Sequence, residues 1–172
     1  MRQWITSIGR KHGRIDVVVN NAGVMPRASL ALGTSTDLVE STFRTNLLGT
    51  FAVCRESAKV MMKRKVGRII NISSVGTELH LEGAAAYLAS KSAVVEFSKV
   101  LAKELALYNI RVNTIAPGLT ETDMMQESTP EEALKNTLQR ISMKRVGTPE
   151  EIANVALFLS SELSTYMTGQ IL

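Results

Sequence analysis

Three short apolar runs, Ile15 to Val19, Arg68 to Ile72 and Ile110 to Ile115, are each rich in Val or Ile and each end in polar or turn-forming residues. Such runs read as strands buried on both faces, the pattern of a parallel sheet rather than of alternating hairpins. The stretches between them, roughly Asp37 to Lys63 and Ala84 to Tyr108, are far too long for hairpin loops and suit helical crossovers. Strand, helix, strand, helix, strand with right-handed crossovers predicts an α/β fold: a partial doubly wound, Rossmann-like parallel sheet with helices on both faces.

Two later helix starts are marked by capping chemistry. Thr148-Pro149-Glu150-Glu151 supplies an N-cap, a proline at the first helical position and a glutamate at the third, and Thr129-Pro130-Glu131-Glu132 repeats the device. The helix after Thr148 is expected to run through Ile152, Val155, Ala156 and Leu159 at helical spacing.

A chain of 172 residues, 45% hydrophobic and 21% charged, has the profile of one domain spanning residues 1–172. No apolar run approaches the roughly 20 residues that cross a bilayer, and the charges within Met1 to Gly13 do not suit a secretory signal. A soluble cytoplasmic protein with no membrane partner is the expectation. The densest basic cluster, Lys63, Arg64, Lys65 and Arg68, falls where a helix ends and a strand begins. Cations favour a helix C-terminus, so the cluster reads as a solvated helix end and no nucleic-acid partner is expected. Cys54, the single cysteine, reads as a packed thiol. No metal is expected.

Ligands of such folds bind beyond the carboxyl ends of the strands. The residues at that rim are Asn20-Asn21-Ala22-Gly23, then Ser73-Ser74, then Pro117-Gly118 with Thr120 and Thr122. Each set alone also reads as ordinary turn chemistry. Tyr87 and Lys91 are four apart, which puts both on one face of the second long helix. Ser74 ends a buried strand, so a short loop and one helical turn would bring its hydroxyl to the Tyr87 phenol, with room for a carbonyl oxygen between them. Reducing a carbonyl requires a proton at that oxygen while hydride reaches the carbon, and a free phenol with pKa about 10 donates poorly at neutral pH. A nearby ammonium stabilises phenolate, the role open to Lys91, and Ser74 would polarise the oxygen.

These residues, in this order and together with Asn46, resemble the motifs of the short-chain dehydrogenase/reductase family. The segments Gly67 to Ser74 and Gly147 to Asn154 are most similar to its 3-oxoacyl-[acyl-carrier-protein] reductase branch. The resemblance implies an oxidoreductase moving hydride between NAD or NADP and a small-molecule carbonyl or secondary alcohol, such as a 3-oxoacyl group. It implies a catalytic tetrad: Tyr87 as general acid/base, Lys91 lowering its pKa and holding the nicotinamide ribose, Ser74 orienting substrate, and Asn46 supporting a water-linked proton relay. Asn20, Asn21, Ala22 and Gly23 would line the cofactor cleft and brace the sheet, and Pro117, Gly118, Thr120 and Thr122 would contact the nicotinamide and its phosphates. It further implies a homodimer or homotetramer joined through the long helices Asp37 to Lys63 and Ala84 to Tyr108. Read without the resemblance, Asn46 is an amide that satisfies backbone groups at a local helix distortion.

Against the family pattern, the glycine-rich turn and the first strands, roughly 60 to 70 residues, do not occur in this sequence. NAD and NADP are therefore not separable here. Ile15 to Val19 is expected to form an exposed apolar edge, leaving the chain marginally folded or assembled through that edge. A non-catalytic remnant or assembly module stands as the alternative to an enzyme. The segments Val75 to Gly83 and Leu119 to Ser142, with Leu79, Leu81, Met124, Met125 and Leu134, suggest an apolar or adaptable substrate side.

Overall fold

The computed structural model describes residues 2–128 and 131–172. In chain order, helix α1 (Arg2–His12) leads into strand β1 (Val17–Asn20), and a long loop containing one 3₁₀ turn (Ala31–Gly33) leads to α2 (Thr36–Phe43). A π-helical segment (Arg44–Gly49) joins α2 to α3 (Thr50–Met62), and β2 (Gly67–Ile72) follows. A short helix α4 (Gly76–Leu79) precedes the long α5 (Ala85–Leu105), which ends in a 3₁₀ turn (Ala106–Tyr108) before β3 (Ile110–Ile115). The remaining helices are α6 (Asp123–Ser128), α7 (Glu131–Arg140) and α8 (Pro149–Ser160), with a last 3₁₀ turn at Glu162–Ser164.

The three strands form a parallel sheet in the order β1-β2-β3. Val17 aligns with Arg68 and Asn20 with Asn71, while Gly67 aligns with Ile110 and Ile72 with Ile115. The last residues run alongside β3: Thr114 donates to Gln170 O at 2.8 Å and Leu172 donates to Thr114 O at 3.0 Å. Side chains alternate across β2, so its two faces feed two cores. Ile69 packs with Cys54, Ala58 and Met61 of α3, with Leu101, Ala102 and Leu105 of α5, and with Ile110 and Val112. Ile70 and Ile115 pack on the opposite face against Leu159 of α8. Helices thus cover both faces, as the α/β reading requires.

Element bounds differ from the sequence reading by a residue or two, with β2 starting at Gly67 rather than Arg68 and the first long helix spanning Thr36 to Met62 rather than Asp37 to Lys63. The first strand is Val17–Asn20 rather than Ile15 to Val19, because its ladder with β2 begins only where Val17 meets Arg68. The first long helix is continuous but not uniformly α: residues Arg44–Gly49 adopt the wider π turn. The second begins at Ala85 rather than Ala84, and its last turn tightens to 3₁₀ over Ala106–Tyr108 before Asn109 turns back with φ 53°. The capping device at Thr148 forms both reciprocal bonds, Glu151 N to Thr148 Oγ1 at 3.3 Å and Thr148 N to Glu151 Oε2 at 2.8 Å. Its repeat at Thr129 and Pro130 lies outside the described residues.

On β1, Val18 packs against the α3 core, whereas Val17 and Val19 are 39% and 46% exposed. Arg68 and Arg111, neighbours across β2 and β3, are drawn to the C-terminal turn. Arg68 pairs with Glu162, and Arg111 donates to Ser164 Oγ and Ser161 O, each at 3.0 Å. No helix among the described residues is long and apolar enough to cross a membrane.

Candidate active site

The carboxyl ends of β1, β2 and β3 gather the loops that carry the expected residues. Ser73 N donates to Ile115 O at 2.8 Å and Val75 N donates to Pro117 O at 3.0 Å, so the loops after β2 and β3 are tied together. Ser74 is half-buried at the end of β2, with its Oγ accepting the Gly76 amide at 3.1 Å. Position 76 is closely packed: a β-carbon there would lie 2.9 Å from Leu88 Cδ2 and 3.2 Å from Ser74 Oγ, so the Leu88 side chain would have to shift.

Helix α5 brings Tyr87 and Lys91 to this rim. Tyr87 is half-buried, with the Ser74 hydroxyl close enough to act on its phenol. Lys91 is only 5% exposed; its Nζ donates to Ile72 O at 2.8 Å and lies 5.9 Å from the centre of the Tyr87 ring. Ser73 Oγ donates to Lys91 O at 3.1 Å, which locks this turn of α5 onto the end of β2.

Burial dominates the electrostatics. It raises the Tyr87 phenol above its ordinary value, and the Ser74 hydrogen bond opposes that rise. Burial also lowers the Lys91 ammonium to about 8, because no carboxylate compensates its loss of water. Burial opposes the lowering of Tyr87 that the resemblance implies for Lys91, and the lysine donates to a backbone carbonyl.

Asn46 sits in the π segment and is fully buried. Its Oδ1 accepts the Val24 amide at 2.8 Å, while its Nδ2 donates to Val24 O at 3.0 Å and to Ser90 Oγ at 2.9 Å. Both donors are thus committed, and the side chain satisfies backbone at a helix distortion, as the reading from residues alone expects. Its main-chain carbonyl lies in the π turn and accepts Thr50 Oγ1 at 2.8 Å. The loop after β1 passes so close that a β-carbon on Gly23 would lie 3.1 Å from Lys91 Nζ and 3.3 Å from Asn46 Oδ1. Only glycine lets the backbone run there undisturbed.

The other expected residues divide. Asn20 turns into the core, its Nδ2 donating to Asn71 Oδ1 at 2.8 Å and to Cys54 Sγ at 3.2 Å. Its side chain braces the sheet rather than facing the cleft. Asn71 in turn donates to Ser98 Oγ at 2.8 Å, fixing α5 to β2. Cys54, wholly buried with its thiol raised to about 12 by burial, is the packed thiol expected. Asn21 and Ala22 are exposed at the rim, as is Gly118, whose β-carbon position is open space. Pro117 is half-buried beside the Ser74 loop. Thr120 and Thr122 bond within their own loop: Thr120 Oγ1 donates to Gly118 O at 3.0 Å, and Thr122 Oγ1 accepts the Met125 amide at 3.3 Å. The sequence reading assigned no role to Ser90, Asn71, Ser98 or the Ile72 carbonyl. The only signal for Ser90 was its place between Tyr87 and Lys91, and a carbonyl gives none.

A serine hydroxyl, a phenol and a buried ammonium converging at a parallel-sheet rim can polarise and protonate a carbonyl oxygen. Comparison with known proteins agrees with this chemistry. The family model for enoyl-(acyl carrier protein) reductases matches residues 1–172. The 3-oxoacyl-[acyl-carrier-protein] reductase FabG of Chlamydia pneumoniae is 44% identical over 163 residues, 94% of this chain and 64% of that protein. The Thermotoga maritima protein of the same name is 42% identical over 172 residues, 100% of this chain and 69% of that one. The chain thus spans about two thirds of the length of these relatives. Among solved structures it is similar to an NAD+-bound xylitol dehydrogenase, with TM-score 0.94 and 30% identity over 99% of this chain and 72% of the other. It is also similar to NADP-bound ElxO, with TM-score 0.89 and 31% identity over 99% of this chain and 70% of the other. With a family model matched along residues 1–172 and relatives of this similarity, the chain belongs to the short-chain dehydrogenase/reductase family and is similar to its 3-oxoacyl-[acyl-carrier-protein] reductases.

Proposed function

We propose that the chain forms the catalytic and C-terminal part of an NAD- or NADP-dependent oxidoreductase acting on a ketone or secondary alcohol, with a 3-oxoacyl group as the preferred substrate class. The convergence of Ser74, Tyr87 and Lys91 at one strand rim carries this reading. When bound, the nicotinamide supplies or receives the hydride. The residues fit such a group. Lys91 Nζ spends one donor on Ile72 O and retains two, and Gly23 gives a close backbone wall beside it. Tyr87 and Lys91 would hold the nicotinamide ribose, Asn21, Ala22 and Gly23 the wall of the cleft, and Pro117, Gly118, Thr120 and Thr122 the nicotinamide and phosphates.

In reduction, Tyr87 delivers a proton to the substrate oxygen while Ser74 donates a hydrogen bond to the same atom. Burial keeps the phenol protonated, so the proton is in place at neutral pH. A bound cationic nicotinamide and the ammonium of Lys91 would favour phenolate when the reaction runs in the oxidative direction. Asn46 contributes through its main-chain carbonyl, because its side-chain donors are committed.

Exposed apolar residues on α3, α5 and their neighbouring turns, including Phe51, Val100 and Leu107, support a homodimer or homotetramer through these helices. A cytoplasmic setting fits the reading.

The deciding experiment is NADH and NADPH binding by calorimetry, followed by turnover of a 3-oxoacyl thioester. The expected result is micromolar binding of one dinucleotide, with Tyr87→Phe lowering turnover at least about 10³-fold while changing dinucleotide affinity less than about threefold. Turnover retained in Tyr87→Phe would remove the acid/base assignment. A folded chain that binds neither dinucleotide would favour the non-catalytic module.

A further inference from the structure

Ser90 is wholly buried between Tyr87 and Lys91 on α5. Its Oγ donates to Tyr87 O at 2.7 Å and accepts Asn46 Nδ2 at 2.9 Å. The direction of the first bond fixes that of the second: with its proton committed to a carbonyl, the hydroxyl offers Asn46 only a lone pair. Asn46 must then present its amino group to Ser90, which leaves Oδ1 for the Val24 amide and the second N–H for the Val24 carbonyl. One hydroxyl therefore joins three elements: the loop after β1, the π segment and the turn of α5 that carries Tyr87 and Lys91.

We infer that Ser90 is a positioning residue that sets the orientation of the Asn46 amide and thereby holds the Gly23–Val24 backbone against Lys91 and the first turn of α5 against Ser74. This deepens the proposed function and rests on that reading for its catalytic consequence, but the staple is measurable without turnover. Removing the hydroxyl leaves a buried Asn46 N–H without its acceptor and frees the Tyr87 carbonyl, so the local hydrogen bonds must weaken first.

The test uses the full chain labelled for nuclear magnetic resonance and reads two local probes. In Ser90→Ala, exchange of the Val24 amide should accelerate about tenfold or more relative to amides of β2 and β3. The titration of the Tyr87 phenol should also move as its packing against Ser74 loosens. Ser90→Thr, which keeps a hydroxyl, should return both probes toward wild type. If Ser90→Ala does not fold, Ser90→Cys, close in volume but a weaker hydrogen-bonding group, serves for the same comparison and should move both probes by less. Val24 exchange and Tyr87 titration unchanged in the variant that folds would overturn the inference. So would equal changes at all amides, which would mark Ser90 as a general stability residue. A wild-type chain without turnover would instead count against the proposed function and leave these two readouts intact.

Discussion

Lys91 is costly where it stands. Its ammonium is buried with a carbonyl partner and no carboxylate, and its pKa falls from 10.5 to about 8. Between those values the unfolded chain holds a proton that the folded chain has released, so this residue makes stability rise with pH through that window; below about pH 8 the full penalty applies. Lys91→Met should therefore raise unfolding stability at pH 7 by about 3 kcal/mol, less whatever the orphaned Ile72 carbonyl takes back, and abolish turnover. The stabilisation should shrink as the pH approaches 10.5. Denaturant unfolding of both proteins at pH 7 and pH 10 checks the sign; an unstable variant at both would show that the Ile72 bond outweighs desolvation. Tyr87 and Ser74 were legible as candidates because residue type and spacing carry the chemistry. The raised phenol was not, because burial is set by how separate elements pack, which the sequence does not place.

At the scale of elements, the strongest local signal was the cap of α8. Glu151 is lowered to about 2, first by its hydrogen bond with Arg145 and then by the Thr148 amide. A carboxylate with a depressed pKa adds stability above its unfolded value of 4.5, and that contribution disappears as pH falls toward 2. Thr148→Ala should cost about 1 kcal/mol and shift the acid-unfolding midpoint upward, read by circular dichroism against pH. An unchanged midpoint would mean that the Thr148 hydroxyl adds nothing to acid stability, with Glu151 held by Arg145 and by the Thr148 amide that the substitution keeps. Helix α8 depends on this cap because its inner face supplies Leu159 to the core beneath Ile70 and Ile115. The π segment at Arg44–Gly49 had no comparable signal. Its one sequence cue was the amide Asn46, read as sitting at a local helix distortion, and the bonds of Asn46 to Val24 and Ser90, from two other elements, accompany the wider turn.

On the sheet of this chain the exposed apolar side chains lie on β1. Val17 and Val19 remain 39% and 46% exposed on a strand that pairs with β2 on one side. An apolar edge of this kind invites pairing with another chain, and lysine is a common means of blocking it. Val17→Lys should lower self-association, measured by light scattering across a concentration series, while leaving the melting temperature within a few degrees. Association unchanged by that substitution would move the contact to the α3 and α5 surface, where Phe51 and Phe97 stack at 4.8 Å between ring centres and Val100 is exposed.

The sequence by itself determined the α/β order, the parallel sheet, the capped α8 and the residue types gathered at the strand rim, because periodicity and capping are local properties of the chain. Tertiary structure alone decided that Asn20 braces the core while Gly23 lines the site, that Asn46 is committed through its side chain, and that Ser90 links Asn46 to Tyr87. Each of those outcomes depends on hydrogen bonds between residues from 22 to 51 positions apart or on a close backbone approach. Burial then set the protonation of Tyr87 and Lys91, since desolvation is a property of the packed site and not of the side chain.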